Sequence, residues 1–240
     1  MKWVLGAVLA VAALLAGAPV ALADNGNASP TLSFFSGGGG AHADWLATSD
    51  QPPGDTDNQA IRLLTTTASN GYAGILVHHV TGIPAASFPD SAFWNETPNP
   101  YPFEPYTQGS PRLVVEFQTA AGQSDGYADL RENTRGNGWE DVSDQNNYPN
   151  SAWDVMGGPC GFRYNVTWPT VQSCFAGDTT LDIFLVADPY GVYHLIDDIS
   201  VDGKMFTDAA DNGNGDNTAA GPDPSDPSLI PSSLLALFGL

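Results

Sequence analysis

The sequence predicts an all-β fold, antiparallel sheets packed as a sandwich, and three observations carry that expectation. Short apolar runs with alternating or β-branched residues recur at Thr31–Phe35, Gln59–Thr67, Tyr72–Val80, Arg112–Thr119, Phe162–Trp168 and Leu181–Val201. Gly, Pro, Asn and Asp gather between those runs, as turns require. Outside the N-terminal apolar run and the last residues, no stretch sustains a helical period.

Taken in order, the first 23 residues read as a secretion signal. Lys2 gives the basic start, Val4–Leu15 the apolar run, and Ala21-Leu22-Ala23 a small-residue cleavage site. The alternative is an uncleaved anchor, against which Pro19 and the Ala-x-Ala ending argue. Asp24–Pro30 is polar, and the first strand is expected at Thr31–Phe35. Gly37–Gly40 reads as a loop, because Ala41-His42-Ala43-Asp44-Trp45 supplies none of the residues that make a glycine run hold phosphate. Gln51–Asn58 is a turn-rich bridge. The proline-rich stretch between Ala85 and Ser110 reads as a long connection, since prolines at that density oppose a central strand. Asp125–Asn147 is polar and broken by glycines.

The last landmark is Thr180–Lys204. Leu181–Ala187 and Val192–Val201 flank Asp188-Pro189-Tyr190-Gly191, a spacing that predicts a β-hairpin. Asp197-Asp198 interrupts its second, otherwise apolar strand. The domain organisation expected is a signal peptide (1–23), a sandwich (31–207) and a low-complexity acidic tail (208–240) that is disordered apart from a short apolar end. That end, Leu229–Leu240, is 12 residues long, too short to span a bilayer, and is the candidate segment for a protein partner.

Charge narrows the partners. All 27 acidic residues follow the signal, against six basic ones (7 − 1, Lys2), so the mature net charge is near −21 (6 − 27). Such a field repels nucleic acid and anionic membranes and suits divalent cations. Cys160 and Cys174 are the only cysteines, and in an exported chain their spacing reads as a disulfide.

With these landmarks placed, the chain resembles the jelly-roll, galactose-binding-like sandwiches used as non-catalytic carbohydrate-binding modules. The likeness rests on Trp45 followed by the alternating Asn58–Leu63, on the mid-domain Arg112–Thr119, on Trp139 and Trp153, and on the closing Val192–Gly203 with its Asp-Asp-Ile core. The resemblance implies a two-sheet jelly roll over about Thr31–Thr207. It also implies a structural calcium ion held by the first Asp of the closing pair, Asp197 here. An Asn-Gly-Phe-Glu-like run, the usual N-terminal partner motif, does not follow Leu32.

Hard cations take several oxygen ligands, so Asp197 and Asp198 from the strand and Asp55 or Asp57 from the loop form the candidate calcium set. The competing reading puts one of the paired aspartates in water and the other on a backbone group. Sugar recognition stacks rings on C–H faces, and Trp94, Tyr101, Tyr106, Trp139, Tyr148 and Trp153 lie in settings that could present them. Phe162, Tyr164 and Trp168 read instead as core or disulfide packing. Catalytic signatures are missing: the five glutamates (Glu96, Glu104, Glu116, Glu132, Glu140) show no paired spacing, and neither a nucleophile elbow nor a zinc His pair occurs. The expectation is a secreted, non-catalytic protein that binds a glycan or cell-wall polysaccharide. The alternatives are a surface or matrix protein making protein–protein contacts, and a polysaccharide hydrolase or lyase with a dispersed site.

Overall fold

The computed structural model describes residues 28–68, 70–96, 111–131, 139–142, 153–188, 191 and 193–212. Residues 1–27, which include the expected signal, together with Tyr101, Tyr106, Tyr148 and the residues beyond 212, lie outside the described residues. Two antiparallel sheets form the body, as a jelly-roll sandwich. In chain order the strands are β1 (Thr31–Ser36), β2 (His42–Ala47), β3 (Gln59–Leu64), β4 (Ala73–His78), β5 (Ala92–Glu96), β6 (Arg112–Gln118) and β7 (Ser124–Arg131). They continue as β8 (Trp139–Asp141), β9 (Trp153–Gly157), β10 (Arg163–Val166), β11 (Thr179–Ala187), β12 (Tyr193–Val201) and β13 (Lys204–Phe206). The larger sheet runs β1-β4-β11-β6-β7-β9-β10; the smaller runs β2-β3-β12-β5-β8, with β13 beside β12.

The expected hairpin at Thr180–Lys204 does not form. β11 pairs with β4 and β6 in the larger sheet, and β12 with β3 and β5 in the smaller, so the turn between them crosses from one layer to the other. Both faces of β11 are apolar. Ile183 and Leu185 enter the inter-sheet core, while Phe184 and Val186 join a second apolar cluster on the outside. With β4 on one edge and β6 on the other, β11 has no edge left for β12 to pair with. Arg112 anchors the crossing, its Nη2 donating to Asp188 Oδ1 at 2.6 Å.

Other departures have equally local causes. Ala92–Glu96 lies within the stretch read as a connection, yet it contains no proline and forms the interior strand β5 between β12 and β8. β2 arises in a segment with no strand reading and β7 in one read as broken polar chain, because pairing along a sheet outweighs weak local propensity. Trp168–Cys174 is a short α-helix, α1, begun by Pro169 in its first turn; the strand expected there stops at Val166.

The core lies between the sheets. Ile75, Leu113, Val115, Phe117, Ile183 and Leu185 of the larger sheet meet Ile61, Leu63, Phe93 and Ile196 of the smaller. One end is closed by α1, where Trp168 packs on Trp153 with centroids 4.5 Å apart and donates its indole N–H to Phe88 O at 2.9 Å. Phe175 stacks on Phe117 at 4.2 Å. Gly158, at φ +62, sits under that ring, and a Cβ there would lie 2.4 Å from Phe175.

The Cys160–Cys174 disulfide joins the β9–β10 turn to the end of α1, with Cα atoms 5.3 Å apart. A loop of this length is worth about 3 kcal/mol in the chain-entropy account. The Cys160→Ser/Cys174→Ser variant is therefore expected to unfold in urea at about 3 kcal/mol lower stability. A loss below about 0.5 kcal/mol would show that α1 is held by packing alone.

Candidate functional site

Opposed residues of neighbouring strands project to the same side of a sheet, so the registers define what the outer face of the smaller sheet carries. One row reads Asp44–Arg62–Leu195–Glu96–Trp139 from β2 to β8. The row on one side is His42–Leu64–Tyr193, and on the other Asp197–Trp94–Asp141. The alternate residues Trp45, Ile61, Ile196 and Asn95 turn toward the core, as the strand period of two demands.

Three polar arrangements organise this face. Arg62 clasps Asp44 with both ends of its fork, Nε to Oδ1 at 2.8 Å and Nη2 to Oδ2 at 2.7 Å, and His42 Nε2 lies 3.2 Å from Asp44 Oδ2. That bond raises the guanidinium pKa further. Beside the pair, Tyr193 is half-buried, and burial pushes its phenol up. Across the sheet, the Trp139 indole N–H donates to Asp50 Oδ1 at 3.1 Å, which fixes a loop carboxylate over the face. The Glu96 carboxyl meets Asp50: burial first, then the hydrogen bond and charge of Asp50, push Glu96 up to about 7. Its Oε2 is buried without a hydrogen-bond partner.

At the end of the same face the chain gathers carboxylates. The turn before β3 folds through Asp55 and Asp57. Asp55 Oδ1 accepts the N–H groups of Thr56 and Asp57, while Asp57 Oδ1 accepts Gln51 Nε2 at 2.7 Å and the Gln59 N–H at 2.8 Å. Opposite, β12 bulges between Asp197 and Ser200, with Asp198 at φ +47. The Asp198 N–H donates to Asp197 Oδ1 at 2.8 Å. Oxygen atoms of Asp55, Asp197 and Asp198 all lie within 4.8 Å of one another. Asp55 Oδ2, Asp57 Oδ2 and Asp197 Oδ2 are each buried without a partner.

Such a cluster is unfavourable to its own ionised form. Burial, with the charges of Asp55, Asp57 and Asp198, pushes Asp197 up to about 8 although the Asp198 N–H opposes it. Asp198 is raised too, by burial and then by Asp55, Asp57 and Asp141. Converging carboxylate oxygens without donors suit a hard divalent cation, which takes six to eight oxygens. Of the four aspartates singled out in the sequence, Asp55, Asp197 and Asp198 converge, while Asp57 stands outside that group and acts on Asp197 and Asp198 through its charge. Asp141 joins them from β8, and only the sheet register could have indicated it.

The aromatic candidates divide. Trp94 and Trp139 stand half-buried on the outer face described above, beside the carboxylates. Trp153 is 2% exposed, donates its N–H to Asp90 Oδ1 and packs on Trp168, so it is a core residue and offers no ring to a ligand. Phe162 and Tyr164 reverse their expected roles. They are 73% and 63% exposed at the edge strand β10, while Trp168 is buried as expected. Tyr193, Arg62, Asp44 and Glu96 were not visible as site residues, because only pairing across β2, β3, β12 and β5 puts them side by side, and Asp50 joins them only through the Trp139 indole.

No known family's sequence pattern matches this chain, and no curated protein matches it. Solved structures do resemble it. A family 11 carbohydrate-binding module from a cellulosomal cellulase of Clostridium thermocellum aligns at 11% identity with a TM-score of 0.37, over 72% of this chain and 88% of that one. The Clostridium thermocellum module in complex with a β-1,3-1,4-mixed-linked tetrasaccharide gives 11% identity and a TM-score of 0.38, over 72% and 89%. An arabinose-bound α-L-arabinofuranosidase gives 11% identity and a TM-score of 0.38 over 71% of this chain, which spans 24% of the enzyme's length. At that similarity the likeness is one of strand arrangement and carries no argument about function.

Proposed function

We propose that this is a secreted, non-catalytic protein that binds a polysaccharide chain on the outer face of the smaller sheet, with calcium at one end of that face. The observation that carries the reading is the face itself. It sets the half-buried rings of Trp139, Tyr193 and Trp94 among oriented polar groups, the clasped Asp44–Arg62 pair and the indole-held Asp50. Rings take the apolar faces of sugars, and fixed carboxylates and guanidinium groups take hydroxyls.

Binding without cleavage fits the carboxyl geometry. A glycosidase separates its two carboxyls by roughly 5–9 Å to flank the bond it breaks. On this face Asp50 and Glu96 instead meet through a hydrogen bond. The disulfide suits an oxidising compartment. Among the described residues no helix is long and apolar enough to cross a membrane.

In this reading Asp55, Asp57, Asp197 and Asp198 hold calcium and tie the turn before β3 to β12. The ion would neutralise the cluster and set the loop that leads from Asp50. Retention of the purified chain on a panel of insoluble and gel-embedded polysaccharides tests the function. Binding to at least one polymer, with no release of reducing ends or unsaturated sugars, is expected. Such release would establish a hydrolase or lyase instead.

A second reading has its own support in Phe162 and Tyr164, two exposed rings at the start of the edge strand β10 and close to the disulfide in sequence. There the protein would contact a second macromolecule, the protein–protein role also open to 229–240. A Phe162→Ser/Tyr164→Ser variant would then lose pull-down of that partner while keeping its polymer retention.

A further inference from the structure

The glycan reading leaves open which sugar chemistry the face selects, and the electrostatics of its central row bear on that choice. Glu96 is 9% exposed, and its Oε2 has no hydrogen-bond partner although the strand pairing aims it at the face shared with Trp139. Asp50 reaches Glu96 from the loop and is pinned there by the Trp139 indole. Like charges this close oppose joint ionisation, so the free pair shares a proton, and only a cation seated there would let both groups ionise. The protein supplies no such cation among the described residues. Arg62 is spent bidentately on Asp44, His42 also turns to Asp44, and Tyr193 adds only a neutral phenol. The chain as a whole carries a formal charge of −20.

We infer that the face selects polysaccharides bearing protonated amines, polymers of glucosamine-type units, with an ammonium group seated on Glu96 and Asp50 and its sugar ring against Trp139. This rests on the glycan reading above and deepens it. An ammonium has three donors and no acceptor, so one group satisfies Glu96 Oε2 and reaches Asp50 at once. The bonds are charge-assisted, stronger than those a neutral hydroxyl makes to the same oxygens. The neighbouring indole face is a further favourable place for a cation. An N-acetylated or hydroxylated ring offers one neutral donor at that position and leaves the pair uncompensated.

The proton balance gives an independent readout. Glu96 holds its proton up to about pH 7 in the free protein. A seated ammonium favours the ionised carboxylate and lowers that value, so binding in mildly acidic buffer, where Glu96 and the sugar amine both carry their protons beforehand, expels a proton to the buffer. The other groups facing the pair are Asp44 and Arg62, already joined, His42 beside them, and the Tyr193 phenol, whose shift is upward and away from neutrality.

Calorimetric titration of the full chain with soluble glucosamine, N-acetylglucosamine and cello-oligosaccharides of equal length tests the inference. The amino oligomer should bind about tenfold more tightly than either neutral one, the difference between charged and neutral hydrogen bonds. Its heat should also change between buffers of different ionisation enthalpy, showing proton release. Glu96→Gln and Asp50→Asn, isosteric changes checked by unaltered near-ultraviolet dichroism, should each bring the preference to within about twofold. Equal affinity for amino and neutral oligomers, or a preference that survives both substitutions, would overturn the inference and leave the glycan reading standing. If the wild-type chain binds no oligomer and is retained on no polymer, the glycan reading fails and the inference fails with it.

Discussion

The Asp197→Asn variant will lose the calcium response of the wild-type protein and, in chelator, will melt at or above the wild-type temperature. The sign follows from the direction of the shift. Asp197 is raised from 3.8 to about 8 in the folded chain, chiefly by burial. The folded state therefore holds a proton that the unfolded state gives up. The stability linked to that proton is fully present below about pH 4 and drains away as pH rises through about 8. Asp198 is shifted in the same direction and adds to the slope.

In chelator the wild-type midpoint should thus fall between about pH 5 and pH 8. Asparagine carries no charge to desolvate, so it removes that fall. Calcium acts oppositely on the wild type: at about a hundred times its dissociation constant it adds about 2.7 kcal/mol, or about 5–10 °C for a domain of this size. The gain should grow with pH, because protons and metal compete for the same oxygens. Differential scanning calorimetry with calcium and with chelator across that range is decisive. A wild-type midpoint that ignores calcium at pH 8 would remove the metal centre from this account.

The second large effect concerns the rings. Trp139→Ala should weaken polysaccharide binding about tenfold and Tyr193→Ala by a similar factor, with the double variant near a hundredfold. Each aromatic–sugar contact of this kind contributes on the order of 1–1.5 kcal/mol, and each 1.4 kcal/mol is a factor of ten. Trp139→Ala has a further cost, since the indole N–H holds Asp50 in place. Trp139→Phe separates the two, keeping a ring but losing that donor, and should fall between wild type and alanine. Isothermal titration with the polymer that is best retained gives these numbers. Equal affinity in wild type and double variant would place the binding surface elsewhere.

The parts of this molecule that sequence could show are those written locally. Alternation in Gln59–Leu64 and Arg112–Gln118 marked strands that form where expected. The Asp197-Asp198 interruption was odd within its own strand, and the fold sets it beside Asp55 of the turn-rich bridge. What escaped reading depends on partners far along the chain. Asp188–Gly191 has the composition of a hairpin turn, but its flanking strands belong to different sheets, each with both edges taken by strands far along the chain. β5 was hidden by prolines around it, though none lies within it. The row from Asp44 to Trp139 draws on β2, β3, β12, β5 and β8, and no spacing in the sequence encodes it. Phe162 and Tyr164 were misread for the opposite reason: strand alternation implies burial only where a layer covers the strand, and β10 lies at the sheet edge.

Hydroxyl-radical footprinting of the full chain, with and without the oligosaccharide that binds best, tests the placement of the site most directly because it reads side chains. Trp139 and Tyr193 should lose reactivity as ligand saturates, while Phe162 and Tyr164 on the larger sheet keep theirs. Protection of Phe162 and Tyr164 with Trp139 and Tyr193 unchanged would contradict the account.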